Sequence, residues 1–99
     1  MSDKTLYLVQ ANANQTAQAL DKIIPVLAAE DQIVLMGDSV HAVFLAQTQH
    51  IQQPIWALAT DLELLPSQIF SEDSNKVHSL SYSELTDLIL NFKRCISIK

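Results

Sequence analysis

The chain has 99 residues, room for one domain around one core, and a formal net charge of −5 that argues against unaided binding to nucleic acid, because phosphate contacts need clustered Lys and Arg. A single cysteine, Cys95, leaves neither an internal disulfide nor a cysteine zinc cluster. No apolar run reaches about 18 residues and no secretory signal pattern opens the chain, so no membrane partner is expected and the expected location is cytoplasmic.

Apolar residues make up 48% of the chain and charged residues only 17%, against a typical ~25%, with nine glutamines among the neutral polar residues that fill the gap. A weakly charged surface suits lasting contact with other subunits.

Leu6-Tyr7-Leu8-Val9 has no alternation and reads as a strand covered on both faces. Asn12 or Asn14 in the following loop is a candidate helix cap. Ala13, Ala17, Leu20, Ile23, Ile24 and Leu27 recur at helical spacing, and Pro25 predicts a kink there, or a stop at Ile24 followed by a looser turn. Asp31 begins the strand that organises the chain, Gln32-Ile33-Val34-Leu35-Met36, another continuous apolar run. The only glycine, Gly37, stands where that strand must turn. Asp38 or Ser39 then caps a short helix carrying Val40, Val43, Phe44 and Leu45.

Gln47 to Gln53 is a polar connection, and Pro54 opens a third strand, Ile55-Trp56-Ala57-Leu58-Ala59. Thr60 and Glu63 have the spacing of a capping box for a short helix that must end before Pro66. Ser71 to Lys76 is a polar loop. Val77-His78-Ser79-Leu80 alternates, as a half-exposed strand near a sheet edge does. Ser81 and Glu84 form a second capping box, and the helix beyond it buries Tyr82, Leu85, Leu88, Ile89 and Phe92, with Lys93 and Arg94 near its negative end. Cys95-Ile96-Ser97-Ile98 alternates again and reads as a closing edge strand.

Strands and helices thus alternate along one domain, residues 1–99. This order predicts an α/β fold with a mostly parallel sheet of four or five strands and helices on both faces.

No self-sufficient site emerges. His41, His50 and His78 have no partner at metal-ligand spacing, so neither a metal nor a cofactor is expected. Asp38 and Ser39 either cap a helix or hold an anion at its start. Cys95 is the one catalytic candidate, as a sulfur carrier, weighed against an incidental cysteine. Lys93 and Arg94 would stabilise its thiolate, while the preceding helix end would oppose it. Trp56 reads either as a core residue or as an interface anchor.

Four stretches together resemble the TusB/DsrH family of small sulfur-relay subunits. They are Thr5-Leu6-Tyr7-Leu8-Val9, Ala29 through Val40 with its Gly37-Asp38-Ser39 turn, Pro54 through Leu62, and Ser81 through Leu88. The resemblance implies a DsrEFH-like fold and a scaffolding subunit that associates with two paralogous DsrE/DsrF-like (TusD/TusC-like) partners. Such a complex passes persulfide sulfur, in the Tus branch toward the 2-thio group of the tRNA wobble uridine and in the Dsr branch toward sulfur oxidation. The principal sulfur-carrying cysteine then belongs to another subunit, and this chain alone is expected to form homo-oligomers. Some Dsr-branch members carry a cysteine in the first helix. The matching region here, Ala19-Leu20-Asp21-Lys22, has none, which favours the Tus branch. The turn reads Gly-Asp where the family has Asp-Gly, and Cys95 inherits no family role. Two readings besides the scaffold stay open: a Cys95 persulfide carrier, and a small-ligand or anion-binding module built on the turn.

Overall fold

The computed structural model describes residues 4–12, 14–44, 51–63 and 77–98. Ala13, Leu45, Gln47 to His50, Pro66 and Ser71 to Lys76, and the side chains of Val43 and Phe44, lie outside the described residues.

Five parallel strands form one sheet in the order β4-β3-β2-β1-β5. They are β1 (Thr5–Val9), β2 (Gln32–Leu35), β3 (Ile55–Leu58), β4 (Val77–Leu80) and β5 (Arg94–Ile98). The run built on Ile33, Val34 and Leu35 is the middle strand, and all three side chains are 1% exposed or less. Such a strand has no water-facing side, which is why its sequence does not alternate. β1 pairs with β2 through Leu6↔Gln32 to Val9↔Leu35 and with β5 through Thr5↔Arg94 to Val9↔Ile98. β4 and β5 are the two edges, as their alternation implies.

The chain steps from β1 to β4 in one direction and returns from β4 to β5 in the other. Right-handed crossovers therefore put the first connections on one face and the last on the opposite face. On the first face Tyr7, Val9, Ile33, Leu35, Ile55, Ala57 and Val77 meet helix α1 (Thr16–Ile23) through Ala19, Leu20 and Ile23. Burying Leu20 and Ile23 contributes about 1.5–3 kcal/mol each. On the second face Leu6, Val34, Leu58 and Leu80 meet the closing helix through Leu85, with Leu88, Ile89 and Phe92 packed beside it. The helix after β3 is α2 (Ala59–Leu62), and the closing helix is α3 (Tyr82–Leu90).

Several local expectations are corrected. Neither Asn12 nor Asn14 caps α1; the N-cap is Gln15, without a side-chain bond. The Asn12 carbonyl instead accepts from the Gln15 amide (2.9 Å) and the Thr16 hydroxyl (2.8 Å). Of the two outcomes expected at Pro25, the stop is found: α1 ends at Ile23, with Ile24 as its C-cap, and a 3-10 turn, Ile24–Val26, follows. Asp31 precedes β2 rather than opening it. The segment after Gly37 is a 3-10 helix, Gly37–Phe44, and Ser39 lies within it. Thr60 and Glu63 form no capping box, because α2 starts two residues earlier than a Thr60 cap would set it, with Leu58 as an N-cap that makes no side-chain bond.

The Ser81–Glu84 box is present in full: the Glu84 amide donates to Ser81 Oγ at 3.2 Å and the Ser81 amide to Glu84 Oε1 at 2.9 Å. Tyr82, expected to be buried, is 60% exposed. As the first residue of its helix it lies on the solvent side of the turn that aims Leu85 inward. Lys93 and Arg94 lie beyond the last helical turn, which holds no basic residue.

Candidate functional site

Ligands of open parallel sheets usually sit beyond the carboxyl ends of the strands. Gly37 turns the chain there with φ +58°, a left-handed conformation that glycine adopts without a Cβ penalty. Its amide donates to Asp61 Oδ2 at 2.8 Å. The turn after the middle strand is thus tied to α2 by a carboxylate from within the chain. An external anion at that amide would have to displace Asp61.

Ser39 closes the neighbouring gap. Its Oγ is wholly buried, accepts from the Ala11 amide at 2.9 Å and donates to the Ala11 carbonyl at 3.0 Å. It also lies 3.2 Å from the Oγ1 of buried Thr16. Ser39 therefore locks the loop after β1 to the segment after β2 instead of capping a helix. Asp38 is exposed, and its carbonyl lies 2.9 Å from His41 Nδ1. Among the described residues no buried side-chain nitrogen or oxygen lacks a partner.

The second sheet face carries the other candidates. Trp56 is half-buried there, and its Nε1–H donates to Gln32 Oε1 at 2.8 Å. The His78 ring lies beside it, with centroids 5.6 Å apart and planes tilted by 51°. His78 itself is exposed. Trp56 is thus partly core: it packs beside the cluster on the α3 side and stays half-exposed. Cys95 is exposed in β5, opposite Leu6. It stands in an edge strand, four residues beyond Asn91, the C-cap of α3.

The candidates are not brought together. Asp38 and Ser39 lie beyond β2 at the centre of the sheet, His41 follows them, His78 lies in the β4 edge and Cys95 in the β5 edge. His50 lies outside the described residues. Among the described residues no three His, Cys, Asp or Glu side chains group as a metal site.

A family model described as DsrH like protein matches residues 14–95. The chain belongs to the DsrH-like family. Three of the four resembling stretches fall within the matched span, and Thr5–Val9 lies before it. A solved structure, described as the ychN protein from E. coli, has a similar fold, with a TM-score of 0.65 and 12% identity over 99% of this chain and 100% of that one. No curated protein matches the sequence.

In this DsrH-like chain the polar residues that organise the carboxyl edge are Thr16, Ser39 and Asp61, of which the sequence singles out only Ser39, as a helix cap or an anion holder. Asp31, which the sequence marks only as a strand start, is 3% exposed and accepts from the Thr5 amide (2.9 Å) and the Ala28 amide (2.8 Å). Most of these partners lie 23 to 28 residues away in the chain, and local patterns carry no signal at that range.

Proposed function

We propose that this chain is a scaffolding, non-catalytic subunit of a sulfur-relay complex, a single domain that holds two paralogous DsrE/DsrF-like (TusD/TusC-like) partners. Its place is in the cytoplasm, in the branch that delivers sulfur for 2-thiolation of the tRNA wobble uridine. The observation that carries this reading is the DsrH-like match over residues 14–95. The geometry supports it in two ways. The carboxyl edge of the sheet is filled by the chain's own Ser39, Thr16 and Asp61, which leaves the turn poorly suited to a separate ligand. Cys95, the only cysteine, stands near the amino end of an edge strand, three residues before its carboxyl end at Ile98. A first helix without cysteine favours the Tus branch.

Co-expression with two DsrE/DsrF-like paralogues, as expected of such partners, tests the reading. The three should elute together from a sizing column, and three separate species would end it. Light scattering on the isolated chain reports whether it self-associates through the surface meant for its partners.

The exposure of Cys95 favours one second reading, in which it carries persulfide sulfur itself. Incubation with a persulfide donor followed by intact-mass measurement decides it. A mass gain of one sulfur atom that Cys95→Ser abolishes would establish a carrier, and an unchanged mass leaves the scaffold.

A further inference from the structure

The β5 edge has a regular set of open backbone groups. The Gln10 amide donates to the Ile98 carbonyl at 2.7 Å, so Ile98 turns its backbone toward β1. Backbone direction alternates along a strand, so Arg94 and Ile96 also face β1, while the N–H and C=O of Cys95 and Ser97 face outward. No described strand pairs with that side. On the α1 face the same edge borders a groove of about 250 Å³, lined by Gln15, Gln18 and Lys22 of α1 and by Ile98 and Ala11. Ile96, opposite Tyr7 on that face, is 38% exposed. The edge thus offers two outward donors, two outward acceptors and a partly apolar trough alongside.

Charge specifies what fits. The chain is acidic overall, yet all four described cations border this edge. Lys93 and Arg94 lead into β5, Lys4 precedes Thr5, the register partner of Arg94, and Lys22 lines the groove. Asp38, Asp61 and Glu63 sit instead around the carboxyl ends of β2 and β3, and Asp21 is the only acid adjoining Lys22 in sequence. A second copy of this chain would bring the same cations to the same seam, and like charges across paired strands are destabilising.

We propose that β5 is a strand-addition site for an extended, acidic segment of a partner protein. The segment pairs with the outward N–H and C=O groups of Cys95 and Ser97 and sets carboxylates against Arg94 and Lys22. Opposite charge supplies selectivity: the acidic side chains of the alternating segment share the α1 face with Arg94 and the groove's Lys22, and its small apolar side chains lie on the other face, beside Cys95 and Ser97. This inference stands apart from the sulfur-relay reading and does not depend on which protein supplies the segment.

The test uses the full chain and a short, end-blocked peptide of alternating valine and glutamate. Two controls are its lysine counterpart and a version N-methylated at the amides. Amide exchange resolved by residue should show Cys95 and Ser97 open in the isolated chain and slowed by about tenfold or more at saturating acidic peptide. Both controls should leave them open. Ser97→Pro removes an outward donor and no β1–β5 bond, so it should weaken acidic-peptide binding by about tenfold while leaving the melting temperature unchanged. Lys22→Glu should weaken it as well. Equal binding of the lysine or N-methylated peptide, or no slowing at Cys95 and Ser97, overturns the proposal without reference to any variant. A dimer of the free chain that Ser97→Pro dissolves would overturn the choice of an acidic partner in favour of a second copy.

Discussion

Truncation of Asp31 to alanine is the most informative perturbation of the fold. Thr5 opens β1, and its amide lies one residue before the β1–β2 register begins at Leu6↔Gln32, so the ladder provides it no acceptor. Asp31 Oδ1 fills that role at 2.9 Å, while Oδ2 accepts from the Ala28 amide at 2.8 Å and closes the turn before β2. Thr5 is 2% exposed, so in the alanine variant its amide loses a charged acceptor and water does not replace it. That costs about 1.5–3 kcal/mol. Ala28 is exposed, and water recovers most of its bond, leaving about 0.5–1 kcal/mol. The sum is about 3 kcal/mol, a large share of the roughly 5–15 kcal/mol that holds a domain together. At about 4–8 °C per kcal/mol for a domain of this size, the melting temperature should fall by about 12–24 °C. Urea unfolding should show a lower midpoint at unchanged slope. Asp31→Asn retains one oxygen for Thr5 and should lose roughly half as much. A loss below about 1 kcal/mol for alanine, or an equal loss for alanine and asparagine, would refute the assignment of Asp31 as the acceptor that starts β1.

Other substitutions probe separate contacts. Ser39→Ala strands the buried amide and carbonyl of Ala11 and should cost about 2 kcal/mol in denaturant unfolding, although the exchanged atom is a single hydroxyl. Ser81→Ala removes one half of the capping box and should cost about 1 kcal/mol, with Ser81→Gly milder, as read from melting temperatures. Trp56→Phe and Gln32→Ala each break the same 2.8 Å bond, so the double variant should cost less than the sum of the singles by about 0.5–1 kcal/mol; strict additivity would show that the bond does not form. At Gly37 an added Cβ would meet only Gln10 Cγ, at 3.8 Å, so Gly37→Ala carries backbone strain alone, about 1–2 kcal/mol, and Gly37→Asn should recover part of it.

The sequence made the architecture legible where the physics is local. Unbroken apolar runs marked Leu6–Val9 and Ile33–Leu35 as interior strands, since a strand covered on both sides has no polar register to keep. Alternation marked Val77–Leu80 and the final strand as edges. The Ser81–Glu84 box was readable because its two bonds span three residues. The box expected at Thr60 and Glu63 failed because the chain turns helical directly from Leu58. Ser39 failed as a cap for a related reason: Ala11 and Thr16, distant in sequence, offered its hydroxyl a buried set of partners. Short polar residues serve equally as caps and as long-range ties, and only the assembled sheet decides between the two.

The same long-range ties shape what the DsrH-like chain offers to others. A loop that is to bind a small molecule needs open donors, and at the carboxyl edge the Gly37 amide is engaged by Asp61 and the Ala11 amide by Ser39. Satisfied groups of this kind hold the loops in one arrangement and leave little free energy of hydrogen bonding for a ligand to gain. The periphery differs. Cys95 and Ser97 keep outward backbone groups, Trp56 is only half covered, and Tyr82 and Leu90 are 60% and 78% exposed on the closing helix. Backbone groups in water gain modestly from a new partner, but exposed apolar area adjoining them gains in proportion to what is covered. The balance favours recognition by broad contact with other chains over capture of a ligand in a cleft.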